Sequence, residues 1–304
     1  MVKRLFLFIL FILILGHNSY SKDRVVAVVL ASNLSKFKIA YESFQDTLKT
    51  NGVAGSVQFV LSTTNPDPSS WANAVKRAEG HDVDFIIAFG APLVHSAIKE
   101  KVEIPIIFAD LYETKLVEGA KGKVGGVYNN IPAATVIKHL SAVKAVGTLH
   151  VLYCPFEKET EIQAEKIKQI AAFEKINTQL HTITSTSKIP EIKLGNNDAL
   201  FLTSSVVLET GISRIVAFAN THNVPVVGLS DTVVKSGGLF AIAPEPKEQG
   251  IALGNYVTNY IKTNKLPQNV QLTKVDFIVN LQAAKKLNLT VPFAILNNAT
   301  KVIK

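Results

Sequence analysis

The groups in this sequence that could do chemistry stand where apolar runs end. Phe85–Phe89 runs into the small-residue break Gly90-Ala91-Pro92, and Ile104–Phe108 runs into Ala109-Asp110. The pattern recurs. Val25–Leu30 exits into Ala31-Ser32-Asn33, Leu149–Tyr153 into Cys154-Pro155-Phe156-Glu157, Ala199–Thr203 into Ser204-Ser205, and Val224–Gly228 into Leu229-Ser230-Asp231. Apolar runs of about four to eight residues that alternate with helical periodicity read as parallel strands joined by crossover helices. In such sheets ligands bind at the carboxyl ends of the strands. A carboxylate at such an edge suits a cation. Hydroxyls and backbone N–H groups at helix starts suit a carboxylate. For any one of these residues a plain strand exit is an equal reading; the recurrence makes the case.

Catalytic signatures are missing. The sequence has no Gly-x-Ser-x-Gly elbow, no His-Glu-x-x-His helix, no Cys-x-x-Cys pair and no phosphate-cradling Gly-rich loop. Its seven His are scattered, and a lone His is more often a surface or core residue than a metal ligand. Neither cofactor nor metal is expected, and binding is favoured over catalysis. The formal charge is +8, or +6 without residues 1–21, which hold Lys3 and Arg4 and no acid. Lys residues are interspersed with Glu and Asp rather than clustered, so a solvated surface is read and nucleic acid is not expected as a partner.

Lys3-Arg4, the apolar run Leu5–Leu15 and the small residues Ser19 and Ser21 form the pattern of a secretory signal peptide cleaved after Ser21. An uncleaved anchor is the alternative, although the run is short of the roughly 20 residues a membrane span needs. A periplasmic or secreted location follows. The single Cys154 excludes an internal disulfide.

These groups need elements to position them. A helix is expected from about Ser35 to Asn51, with Phe37, Ala40, Tyr41, Phe44 and Leu48 on its buried stripe. Another carries Trp71, Ala74, Val75 and Ala78, capped by Ser69 or Ser70. After Tyr128 the pattern restarts, with helices from Pro132, Glu159–Phe173, Leu208–Asn220 and Pro246–Thr263. Two sets of about five strands result. A single ten-stranded sheet is the competing arrangement, but large open sheets tend to split. Two α/β lobes would enclose a small ligand in the cleft between them.

The ordered segments VDFIIAFGAPLVHSAI, IPIIFADLYETKLV, GGVYNNIP, LYCPFE, VPVVGLSDTVVKSGGLFAIAPEPKEQGIALG and VDFIVNLQAAKKLNLTVP resemble the substrate-binding proteins of ABC transporters, in the branch that includes tryptophan- and tyrosine-type binders. The resemblance covers nearly all of residues 25–292. It implies the type I periplasmic binding fold: two Rossmann-like α/β lobes with parallel sheets and a hinge. Residues 22–128 plus about 244–265 would form one lobe and 129–243 plus about 266–304 the other, with hinge strands near Tyr128–Asn130, Ala243–Glu245 and Asn264–Pro267. It further implies a monomer that binds a small metabolite, an aromatic or other amino acid among the candidates, and delivers it to a membrane permease. A sensor with the same fold is the alternative, and an exported α/β enzyme a third. Carried over residue by residue, the ligand contacts would be Ser32, Asn33, Gly90, Ala91 and Asp110, then Tyr128, Asn129, Phe156, Glu157, Ser204, Ser205 and Asp231. Tyr128 or Phe156 could stack on a flat ligand. The chain departs from the family pattern at Thr203-Ser204-Ser205 (often Thr-Asp-Asn), at Ala91-Pro92 (often Thr-Pro) and at Glu159 (an Asn), which alters the cleft's hydrogen-bonding inventory.

Overall fold

In the computed structural model the chain is described over residues 23–120 and 122–304; the signal-peptide reading falls outside them. The first lobe begins with β1 (Arg24–Leu30), whose β-branched run is almost wholly buried. Then come α1 (Ser35–Thr50), β2 (Val57–Thr63), α2 (Pro68–Gly80), β3 (Phe85–Phe89), α3 (Ala91–Lys99), β4 (Ile106–Leu111) and β5 (Val124–Asn129). The chain crosses to the second lobe through α4 (Ala133–Val143) and continues with β6 (Thr148–Tyr153), α5 (Lys158–Phe173), β7 (Asn177–Thr182), β8 (Asp198–Leu202), α6 (Val206–Thr210), α7 (Ile212–Thr221), β9 (Val226–Gly228), α8 (Asp231–Lys235) and β10 (Phe240–Pro244). Helix α9 (Pro246–Thr263) returns to the first lobe, and β11 (Val270–Leu272) follows it there. β12 (Val275–Asn280), α10 (Leu281–Lys286), α11 (Phe293–Asn298) and β13 (Lys301–Ile303) complete the second lobe.

The first sheet has the order β11-β5-β4-β3-β1-β2, and the second β13-β12-β10-β9-β8-β6-β7. All pairings are parallel except β10 with β12. In both sheets the strand order reverses beside the first strand of the lobe, between β1 and β3 and between β6 and β8. Such switch points open a crevice at the strands' carboxyl ends.

The stripe expected on α1 is the one observed: Phe37, Ala40, Phe44 and Leu48 are buried. Gly250 and Gly254 let α9 lie close against it, because a Cβ at either would run into Ala40 or Thr47. Trp71 is buried, as a core residue should be, and its Nε1 donates to Ala31 O at 2.9 Å, which buttresses the loop after β1.

Three expectations are corrected. Helix α2 is capped by Asp67, not by Ser69 or Ser70; the Asp67 carboxylate accepts from Ser70 N at 2.8 Å, and Pro68 takes the first turn, where its missing N–H costs nothing. The helix expected over Leu208–Asn220 is two, broken at Gly211, where a Cβ would collide with Thr186. The third crossing lies after Leu272 rather than near Asn264–Pro267, because β11 extends the first sheet beside β5; the part of 266–304 up to Leu272 therefore belongs to the first lobe.

Candidate functional site

The two switch points face each other, and the groups that meet there come from strand ends of both lobes. Asp110 sits at a break in the register of β4 against β5, between Phe108 and Leu111, with φ at +58°. Asp tolerates this left-handed conformation better than most residues, and a bulge of this kind re-aims a side chain. Here it turns the Asp110 carboxylate toward Lys36, in the first turn of α1. Lys36 Nζ lies 3.0 Å from Asp110 Oδ2 and 2.8 Å from Glu209 Oε1, and Glu209 belongs to α6 of the other lobe. The remaining acceptors are taken up too. Tyr112 Oη donates to Asp110, and Ser230 Oγ donates to Glu209 Oε2 at 3.1 Å. Burial pulls the Lys36 pKa down, but the Asp110 and Glu209 carboxylates outweigh it and hold the ammonium well above its ordinary value. Burial, reinforced by Asp110, raises the Tyr112 phenol far above its own, so it stays a donor.

Further contacts join the lobes around this centre. Glu159, in the first turn of α5, accepts from Tyr112 N at 2.6 Å and Glu113 N at 2.9 Å, and Lys166 pairs with Glu113. Cys154, Val206 and Val207 of the second lobe pack into the first lobe's apolar core. Lys36, Phe37, Asp110, Tyr112, Ser230, Asp231 and Gln249 line a cavity of only about 20 Å³. Ligand sites in proteins run to roughly 300–1,000 Å³. A metabolite can therefore reach Lys36, Asp110 and Glu209 together only if the lobes part.

Of the residues carried over from the family pattern, Asp110 stands at this centre and Asp231 lines it, its carboxylate 2.6 Å from Lys235. Several others spend their polar groups elsewhere. Glu157 is buried and accepts from Ser205 Oγ at 2.5 Å, Val206 N at 2.8 Å and Val207 N at 3.0 Å, capping the start of α6. Ser205 Oγ also accepts from Leu208 N, and Ser204 is paired with Gln163. Ser32 Oγ accepts from Leu34 N, and Asn33 is exposed. Gly90 has φ +114° and abuts Ala31 and Phe37, where no side chain fits; Ala91 is buried behind it. Tyr128 Oη donates to Gln271 at the sheet edge, away from the centre. Asn129 Nδ2 lies 3.4 Å from both Leu272 O and Lys274 O, so it ties the first lobe crossing to the third, and its Oδ1 has no protein partner. Phe156 is about half exposed.

Lys36, Tyr112, Glu209 and Ser230 are the contributors that reading the sequence did not single out. Ser230 followed an apolar run and could have been found. Lys36 beside the buried Phe37 reads as a solvated lysine. Among the described residues no three His, Cys, Asp or Glu are grouped to hold a metal, and no helix is long and apolar enough to cross a membrane.

Comparison with known proteins shows the family. The family described as ABC transporter substrate binding protein matches residues 25–303. This chain belongs to that family. The substrate-binding protein is 21% identical over 219 residues to a tyrosine-binding protein of Clostridioides difficile, covering 68% of this chain and 63% of the relative's length. It shares its fold with an ABC domain from Streptococcus pneumonia crystallised in complex with L-Trp, at a TM-score of 0.84 and 20% identity over 92% of this chain and 100% of the other. The ligand-free, open form of a Clostridium difficile substrate-binding protein with adhesive properties superposes at a TM-score of 0.66, with 16% identity over 92% and 99% of the two chains. The fold is thus the two-lobed type I periplasmic binding architecture. The family acts outside the cytoplasm, binding small molecules and engaging the permeases of ABC transporters.

Proposed function

We propose that this substrate-binding protein captures an amino acid in the cleft between its lobes and hands it to a membrane permease, as a monomer and without chemical change to the ligand. The observation that carries the reading is the convergence of Asp110 and Glu209, from opposite lobes, on a single ammonium position at 3.0 and 2.8 Å. An α-ammonium placed there touches both lobes at once, and only when they are closed. A ligand shifts a conformational equilibrium by its differential affinity for the two states, so such a ligand drives closure. The binding of Trp and Tyr by relatives of the same fold supports an amino acid of aromatic kind. The N-terminal segment is read as a signal cleaved after Ser21, which fits the family's place outside the cytoplasm.

A thermal-shift screen against the twenty amino acids, nucleosides and small organic acids tests this. A ligand that binds only the folded protein raises its melting temperature in a concentration-dependent manner. The reading predicts shifts with amino acids, led by aromatic ones. Shifts confined to nucleosides or organic acids would overturn it.

A further inference from the structure

The group that occupies the ammonium position is the protein's own. Lys36 reaches it from α1, and its side chain is 14% exposed, while Asp110 and Glu209 are at 9% and 2%. The opposite faces of both carboxylates are covered by Tyr112 and Ser230. The remaining approach that contacts both lobes together is the place where Nζ lies. The cavity beside it measures only about 20 Å³, so a ligand nitrogen bonded to both carboxylates takes the place of Nζ. Lys36 is also free to leave. It stands on the second residue of its helix and carries an ammonium on a flexible four-carbon stem that is readily hydrated. With Lys36 in place the three side chains carry a formal charge of −1; with Lys36 withdrawn the two carboxylates carry −2. A cation is favoured at this position and an anion opposed.

We infer that Lys36 is a tethered stand-in for the ligand's ammonium: it latches the lobes together through Glu209 when the cleft is empty, and it restricts the site to solutes whose cationic nitrogen can displace it. The inference rests on the cleft reading above and specifies which ligand group is recognised and what that group competes with. Two consequences follow. The ligand-free protein is largely closed, and ligand affinity is lowered by the fraction of molecules held in the latched state. Displacement also leaves a free ammonium at the cleft mouth, positioned to meet a ligand carboxylate.

The test uses the full chain and two variants that break the latch from opposite ends. Glu209→Gln removes only the second-lobe half and leaves the Lys36–Asp110 pair within the first lobe; Lys36→Met removes the tether. Far-UV circular dichroism checks that both fold. Small-angle scattering without ligand should give wild type the radius of a compact chain of this length, about 19 Å, and a larger radius for both variants. Calorimetry then compares L-tyrosine, tyramine and N-acetyl-L-tyrosine. Wild type should bind only the two amines, and Lys36→Met should bind them about tenfold more tightly if nine-tenths of the wild type is latched. Variants that stay as compact as wild type, amine binding lost in Lys36→Met, or N-acetyl-L-tyrosine binding as tightly as L-tyrosine would each overturn the inference. Variants that expand while neither amine binds any form would support the latch and count against the aromatic amino-acid reading.

Discussion

Lys36 Nζ and Glu209 Oε1 lie 2.8 Å apart although 173 residues separate them in sequence, and this contact joins the centres of the two lobes. Around it, Glu159 and Lys166 on α5 reach residues 112 and 113 at the end of β4. The closed cleft is therefore held by these polar contacts together with the packing of Cys154, Val206 and Val207 against the first lobe. The polar contacts make closure sensitive to charge.

Glu159 makes that sensitivity measurable. Burial pushes its pKa from 4.5 up to about 8, with Asp110 and Glu113 adding to the rise and the Tyr112 and Glu113 backbone N–H groups opposing it. Opening returns the carboxyl to water and its ordinary value. Because the closed-state pKa is the higher one, the closed form takes up a proton, and its advantage is complete below about pH 4.5 and lost as pH rises through about 8. Scattering between pH 5 and 9 should show the wild type expanding as pH rises, and Glu159→Gln should flatten that profile. An equally steep profile in the variant would assign the effect to another group.

Asp110 tests whether the bulge was built for an acid. Asn also tolerates a positive φ, so Asp110→Asn should keep the fold and lose ligand affinity. Asp110→Val, in contrast, should add a backbone penalty of about 1–2 kcal/mol in urea unfolding. Equal stability of the two variants would show that the left-handed conformation is not retained.

Glu157 is a strand-end acid whose carboxylate is engaged within the second lobe. Its carboxylate accepts three hydrogen bonds at the start of α6, and Gln offers one acceptor oxygen in place of two. Glu157→Gln should destabilise the protein by about 2 kcal/mol, in line with hydrogen bonds to a charged group. Ligand affinity at a temperature where the variant is folded should hardly change. A stable variant that no longer binds would move Glu157 into the ligand site.

Gly250→Ala should cost about 1–3 kcal/mol, because the new methyl would overpack α9 against Ala40 and Ser43 of α1. Gly55→Ala, with nothing within 4 Å of the added Cβ, is the control. Matching urea midpoints for the two would mean that the helices can separate without loss.

The lobes were legible because their strands are buried on both faces and their helices carry clean apolar stripes, as α1 shows with Phe37, Ala40, Phe44 and Leu48. Strand β11 was not, because three residues with Val270 exposed carry no such pattern. Asp110 was legible as a polar residue closing an apolar run. Lys36 and Glu209 were not, since each lies on a helix where a charged residue ordinarily faces water, and only closure brings them together. Glu157, Ser204 and Ser205 occupy the predicted edge, yet Glu157 and Ser205 bond to each other and to the first turn of α6, and Ser204 bonds to Gln163 of α5. Sequence position places a residue at the edge, while its hydrogen bonds decide whether it is available to a ligand.

The seat of the ligand's ammonium is best tested by a calorimetric titration of L-tyrosine and L-tryptophan into wild type and Asp110→Asn. Binding to the wild type should be saturable and one-to-one, with at least about a tenfold loss in the variant, as expected when a hydrogen-bonded carboxylate partner of an ammonium is neutralised. Affinity unchanged in Asp110→Asn would contradict the placement of the ligand's ammonium between Asp110 and Glu209.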